Sequence, residues 1–294
     1  MEDRRMLSGD LVRSLIAAQF PQWLDLSVTP IVPGGWDHFS FRLGDRMVIR
    51  LPSAAGYAAQ VQKEQIYLPY LAPLLPLPIP DAIALAAASA DFPHPFGIYG
   101  WLEGETAECG KVDDPCRFAE DLAGFLSTLY KIDASNGPEA GPHNFYRGGS
   151  LVRYDLETRK AIAALKDRID AEAASKIWEA ALSSQWQSPA VWLHGDVAPG
   201  NLLITNGALS AVIDFGLMGI GDPACDLAIA WTFLEDNSRQ RFHEALPLDH
   251  KTWQRGRGWA LWKCLITLEA ARDKLDDTDP QFTILETIIH NALG

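Results

Sequence analysis

The strongest constraint in this chain is the order of polar residues between Val191 and Trp231. His194-Gly195-Asp196 comes first, then Asn201, then Asp214-Phe215-Gly216, with two apolar runs of β-forming residues between them. Ala190 to Leu193 reads as a short strand that delivers His194 to its end. Leu202 to Thr205 and Leu209 to Ile213 read as a hairpin with Asn206-Gly207 as its two-residue turn. Pro199-Gly200 interrupts the loop ahead of Asn201, and Asp214 leaves the end of the second hairpin strand. The pattern predicts that Asp196, Asn201 and Asp214 converge from one small supersecondary unit. Taken singly, Asp and Asn beside Gly and Pro are ordinary turn formers. The information lies in their order.

That order matches the catalytic loop H-x-D-x-x-x-x-N and the D-F-G of protein kinases, with Gly195 at the position where those enzymes carry Arg. The fuller form, HGDVAPGNLL followed by IDFG and GDPACDLA, resembles the aminoglycoside phosphotransferase family, the antibiotic and small-molecule branch of the kinase-like fold. The resemblance implies an α+β, bilobal, protein-kinase-like fold. A small β-rich N-terminal lobe with the hinge, residues 1–103, would bind nucleotide, and a larger, mostly helical C-terminal lobe, residues 104–294, would carry catalysis and substrate. It implies transfer of the γ-phosphate of ATP or GTP, with Mg2+, to a hydroxyl of a small acceptor. An aminoglycoside-type antibiotic is the family-level expectation. A macrolide, a sugar-amine, or a metabolite such as choline, homoserine or methylthioribose, stays open, because family resemblance carries chemistry farther than acceptor identity. A protein or lipid kinase is disfavoured, since GDPACDLA follows Asp214-Phe215-Gly216 almost at once and leaves no activation segment with A-P-E. A nucleotide-binding pseudoenzyme is disfavoured because Asp196, Asn201 and Asp214 are all intact.

Phosphoryl transfer is mainly a matter of positioning and of neutralising charge. The base needs a carboxylate within hydrogen-bond reach of the acceptor hydroxyl, and the resemblance gives this role to Asp196. His194 braces the same loop. Magnesium prefers oxygen ligands, and one carboxylate and one amide beside the phosphates suffice; Asp214 and Asn201 are that pair. Asp226, in GDPACDLA, is expected to hydrogen-bond the catalytic-loop backbone from the start of a helix, as a scaffold residue.

The first hundred residues read as the nucleotide lobe. A helix from Ser8 to Phe20 precedes a strand at Thr29 to Val32, a turn at Pro33-Gly34-Gly35, and strands at Trp36 to Leu43 and Met47 to Leu51. Glycines between strands let backbone N–H groups approach phosphates, so Gly34 and Gly35 are cofactor candidates, although two glycines also make a plain hairpin. Protein kinases carry a Lys on the third strand paired with a Glu on the next helix. Here Arg50 takes the strand position, and its planar fork also suits phosphate oxygens. Its expected partner on the helix from about Ala55 to Leu71 is Glu64, with Lys63 pointing elsewhere. The alternative is an ordinary surface ion pair. Pro95 to Leu102 reads as the strand to the hinge. Gly100 and Leu102 would supply the backbone acceptor and donor for an adenine edge, with Tyr99 and Trp101 aimed at neighbouring surfaces.

Beyond Gly104 the pattern is helical: Pro115 to Lys131, Leu151 to Ile169 and Ala171 to Ser183, with a loop over Asn136 to Gly149. Asp155, Glu157, Glu235, Asp236, Glu269 and Asp273 are candidate contacts for a cationic acceptor, or solvated helix faces. Arg255 and Arg257, in WQRGRGWALW, would pair with those carboxylates or recognise an anionic or neutral acceptor. His38, His94, His143, His243, His250 and His290 show no ligand spacing and read as surface or loop residues.

The formal charge of −13 argues against nucleic acid or an anionic membrane as partner. It suits a cationic acceptor, or solubility alone. No apolar stretch is long enough to cross a bilayer. The opening MEDRRMLSGDLVRSLIAAQF has no signal-peptide pattern. Cys109, Cys116, Cys225 and Cys264 are scattered without metal-ligand spacing, as reduced thiols of a cytoplasmic protein would be.

Overall fold

Alternating apolar residues in the first hundred positions build one five-stranded antiparallel sheet. In the computed structural model, which describes every residue except 1–6, Pro33, Trp36, Asp277, Ala292 and Gly294, its strands are β1 (Val28–Pro30), β2 (His38–Leu43), β3 (Met47–Pro52), β4 (Ala82–Ala86) and β5 (Phe96–Gly100). They lie in the order β1-β2-β3-β5-β4. The turn expected at Pro33 and the strand start expected at Trp36 fall outside the described residues. Helix α1 (Gly9–Gln19) begins where the Ser8 hydroxyl accepts the Leu11 N–H. It buries Val12, Leu15 and Ile16, at helical spacing, in a core with Phe41, Leu43, Ile49, Leu51, Phe96 and Ile98. Helix α2 (Ala58–Leu71) packs against β4 and β5 and carries Glu64.

The chain divides into two units: Met1–Glu103 with Ala211–Gly216, and Gly104–Ser210 with Leu217–Gly294. The second unit is mostly helical, with short strands β6 (Glu105–Thr106), β7 (Val191–Leu193), β8 (Leu202–Thr205), β9 (Ala208–Val212, which continues into the first unit) and β10 (Gly219–Gly221). β7 pairs with β10, and the hairpin β8–β9 turns at Asn206 and Gly207, both at positive φ (52° and 76°) as a tight hairpin turn requires. The helices are α3 (Pro115–Leu129), α4 (Asp155–Leu165), α5 (Ala171–Leu182), α6 (Ile229–Thr232), α7 (Asp236–Ala245), α8 (His250–Ala271) and α9 (Pro280–His290). Among the described residues no helix is long and apolar enough to cross a membrane, and all four cysteines are free.

Helix α8, 22 residues long, is the centre of this unit and packs on α4, α5, α9 and the 3₁₀ segment Pro223–Ala228. Its Arg-Gly-Arg-Gly run is explained by that packing. A Cβ at Gly256 would stand 2.7 Å from Leu227 Cβ, and one at Gly258 would stand 2.4 Å from Ala181 Cβ, so only glycine permits both contacts. The expectation that Arg255 and Arg257 meet the six carboxylates or the acceptor is corrected. Buried Arg255 donates to both carboxylate oxygens of Asp222, at 2.6 and 3.3 Å, and to Ser184 and Thr252. Arg257 donates to the Ile288 and Ile289 carbonyls in the last turn of α9, at 2.7 and 2.8 Å. Both arginines close helix contacts, Arg255 to the Asp222 side chain that caps the 3₁₀ segment and Arg257 to the end of α9.

Candidate active site

In the first unit, β3, α2 and the segment after β9 bring Arg50, Glu64 and Asp214 together. Arg50 donates from Nη1 to Glu64 at 2.9 Å and from Nη2 to Asp214 at 2.6 Å. Glu64 is 1% exposed, so the surface-pair alternative is excluded. Its second oxygen accepts the Tyr99 hydroxyl at 2.7 Å, which fixes the carboxylate. Burial alone would push the Arg50 guanidinium down, but Asp214 and Glu64 outweigh it and hold it above the ordinary arginine value. Asp214 itself sits at φ 63°, a left-handed conformation that Asp tolerates better than most residues.

One residue here departs from the sequence reading. His38 is no surface residue: it is buried in β2, with Nδ1 3.3 Å from Arg50 Nη2. Since Arg only donates, Nδ1 is the unprotonated nitrogen there. Lys63, beside Glu64, is also buried, and burial lowers its ammonium from 10.5 to about 7 although Glu64 opposes this. Between those values the unfolded chain holds a proton that the folded chain lacks. The contribution is therefore full above the ordinary lysine value and is lost as pH falls towards 7, with a slope of at most about 1.4 kcal/mol per pH unit. Lys63→Met should flatten that slope. Urea unfolding of both proteins at pH 7 and pH 9.5 checks this; equal gains on raising the pH would refute it.

Gly34 and Gly35 lie in the β1–β2 connection. Neither adopts a positive φ, and a Cβ would meet nothing nearer than 3.6 Å at Gly34 and nothing within 4 Å at Gly35. The fold itself does not demand glycine there. Gly100 ends β5 and donates its N–H to the Asp81 carbonyl at 2.8 Å, so that N–H is not offered to a ligand. Trp101 N–H goes to the Arg46 carbonyl at 2.8 Å. Leu102, past the strand, makes no backbone hydrogen bond among the described residues.

In the second unit, β7 delivers the loop that carries His194, Asp196 and Asn201. Gly195 has φ 85°, and a Cβ there would lie 2.3 Å from the Leu217 carbonyl oxygen. That is the physical reason this position holds Gly in place of the Arg of protein kinases. Asp226 is fully buried on the 3₁₀ segment and accepts the backbone N–H groups of His194 and Gly195, at 3.0 and 2.7 Å, as expected of a scaffold residue. Burial pushes its carboxyl up, opposed by His194 and those two N–H groups. His194 is buried, and its Nδ1 accepts the Asp196 N–H at 3.2 Å, which sets the loop geometry. Asn201 Nδ2 donates to the carbonyl and to Oδ2 of Asp196, at 2.9 and 3.2 Å. That bonding orients the amide so that its Oδ1 is turned to other partners.

The other carboxylate oxygen of Asp196 lies 3.2 Å from Lys263 Nζ on α8. A narrow cavity of about 20 Å³ beside it is lined by Asp196, Lys263, Arg147, Trp259 and Trp262 among others. None of the six acidic residues expected at the acceptor lines this cavity. Asp155 accepts from Arg159 and Trp178, Glu157 accepts from Trp262 Nε1, and Asp236 pairs with Arg239. Glu235 and Asp236 instead line a separate cavity of about 680 Å³ with Trp231, Arg239 and Thr287, away from Asp196. The sequence reading missed Arg147 and Lys263, and it named Tyr99 only as directed at a neighbouring surface, not as the partner of Glu64. Lys263 follows Trp262, and Trp259-to-Lys263 spacing on one helix was the available signal.

Comparison with curated protein sequences finds no match. Solved structures do match over nearly the whole chain. A GDP complex of aminoglycoside 2'-phosphotransferase-IIIa superposes with a TM-score of 0.71 at 17% identity, covering 98% of this chain and 100% of the other. ADP-bound aminoglycoside phosphotransferase APH(2'')-Ib gives 0.60 at 16% identity, covering 97% of each. The apoenzyme of macrolide 2'-phosphotransferase MphH from Brachybacterium faecium gives 0.58 at 20% identity, covering 97% of this chain and 99% of that one. At these identities the likeness is one of fold: the kinase-like α+β fold, β-rich first and mostly helical after. The model of the phosphotransferase enzyme family, APH, matches residues 28–259, most of the chain including all the motif residues above, and the chain belongs to that family of small-molecule phosphotransferases.

Proposed function

We propose that this chain transfers the γ-phosphoryl group of ATP or GTP to a hydroxyl of a small molecule. The observation that carries this reading is Arg50 bridging Glu64 and Asp214, a buried cation held between two carboxylates from a strand, a helix and the D-F-G segment. A structural ion pair needs one partner; a guanidinium held by Glu64 at one edge, with Asp214 at the other, suits a group that meets phosphate oxygens and metal. Gly34 and Gly35 leave room for phosphates, and the Gly100 carbonyl and Leu102 N–H meet the base edge. Mg2+ takes hard oxygen donors and few protein ligands, which the Asp214 carboxylate and Asn201 Oδ1 fit. Bound with the nucleotide, it neutralises charge on the phosphates. The acceptor oxygen forms the new P–O bond, its proton passes to Asp196, and the bond to the nucleoside diphosphate breaks with the diphosphate leaving as the anion. His194 and Asp226 hold the loop that presents Asp196.

A second reading of the acceptor, an aminoglycoside, is favoured by structures of similar fold that contain kanamycin or gentamicin. Both readings are tested by offering the purified chain Mg-ATP and Mg-GTP with aminoglycosides, macrolides, amino alcohols and hydroxy acids, and reading phosphate incorporation. Incorporation into at least one acceptor is expected. Nucleotide binding without transfer to any of them would sink the enzyme reading.

A further inference from the structure

Arg147, in the loop before α4, is only 8% exposed. Its Nε donates to the Gly195 carbonyl at 3.0 Å, and its guanidinium stands over the rings of Trp259 and Trp262, 4.8 and 4.9 Å from their centroids. Nη1 is buried with no hydrogen-bond partner, and Arg147 forms no ion pair among the described residues. An unpaired buried cation is unfavourable, and two indole faces compensate only in part. The group that completes it is an oxygen acceptor, and an anion satisfies the charge as well as the N–H.

The position of that cation is informative. Arg147 lines the same narrow cavity as Asp196 and Lys263. At about 20 Å³ the cavity has room for one small polar group and not for a sugar ring. Lys263, half exposed, adds a second positive charge 3.2 Å from Asp196. Arg147 and Lys263 therefore share this cavity with the Asp196 carboxylate. Asp226 and Glu157 do not line it: Asp226 accepts the His194 and Gly195 N–H groups, and Glu157 accepts the Trp262 indole N–H. The charge of −13 is spread over the whole chain. With a Debye length of about 8 Å at 0.15 M salt, distant exposed carboxylates are screened, so the local pair decides what enters. An ammonium group placed here would face Arg147 with little water between, an unfavourable like-charge contact.

We propose that the acceptor is a hydroxy acid, and that Arg147 receives its carboxylate beside Asp196 while the two indole rings exclude water. This rests on the phosphotransferase reading and specifies its substrate class. Arg147 is a specificity residue, with Lys263 as the second cation at the mouth.

The test uses the full chain with Mg-ATP and matched acceptors: glycerate and gluconate, their neutral counterparts glycerol and glucitol, and the polycation kanamycin. Two readouts are taken, kcat/KM for phosphate transfer and the change in tryptophan fluorescence on titration with each compound. The acids should exceed their neutral counterparts by at least about tenfold in both. Arg147→Gln also removes the Nε bond to the Gly195 carbonyl, so it should lower transfer to every acceptor somewhat, but it should raise KM for the acids more than for the neutral compounds and bring the two within about threefold; Arg147→Lys should restore part of the preference. Kanamycin or the neutral compounds matching the acids, or Arg147→Gln weakening all of them alike, would overturn the proposal. If the variants do not fold, the wild-type comparison decides alone. Because fluorescence reads binding without turnover, a charge preference can be established or refuted even if phosphate transfer fails, so the two readings fall separately.

Discussion

Asp196→Asn should lower turnover by roughly 10²–10⁴-fold, about 2.7–5.5 kcal/mol on the barrier, while the affinity for Mg-nucleotide stays close to that of the wild type. Asparagine keeps the size of the side chain and removes the group that takes the acceptor proton. The loop around it has independent supports: the His194 and Gly195 N–H groups on Asp226, and His194 Nδ1 on the Asp196 N–H. Loss of the carboxylate therefore leaves the backbone in place. Lys263 loses its ionic partner, which adds to the effect on the acceptor without involving the nucleotide. Single-turnover transfer together with titration of a fluorescent nucleotide separates the two steps. Near-full turnover in the variant would remove Asp196 from the mechanism.

Asp214→Ala should abolish measurable transfer, a loss of at least about 10³-fold, and weaken Mg-nucleotide more than metal-free nucleotide. Arg50 retains Glu64 at 2.9 Å, and Glu64 retains the Tyr99 hydroxyl, so the first unit keeps its buried ion pair and should remain folded. A differential loss of the metal-bound form marks Asp214 as a ligand. Equal weakening of both forms would show that its role is to hold Arg50.

Both predictions concern residues whose types and order are visible in the linear chain, and the reason is local. The turn at Asn206-Gly207, the helix starts at Ser8 and Asp114, and the strand-to-loop passage into His194 are set by residues within a few positions of each other. The Arg50–Glu64 pair was legible too, because 14 positions separate a strand residue from the next helix. Asp226 was placed correctly from its motif. His38 was not: it read as a surface or loop residue, and only the packing of β2 shows that it is buried, as the packing of α2 shows for Lys63.

The acceptor side shows the same division most sharply. Net charge is a sum over all residues, and it suited a cationic acceptor or solubility alone. The charge beside Asp196 is set by Arg147, Trp259, Trp262 and Lys263, which meet only when the loop before α4 and the centre of α8 close around the catalytic loop. Arg147 reaches Gly195 across 48 positions and the tryptophans across more than twice as many. The sequence by itself determined the fold family and the order of the oxygen-bearing residues proposed for the site, because those depend on turn chemistry and on the order of short motifs. Tertiary structure alone decided which charged groups are buried, which are paired, and which lie beside Asp196. Hydrophobic periodicity shows that a helix has an apolar face, but the partner that face meets is decided by packing between distant segments.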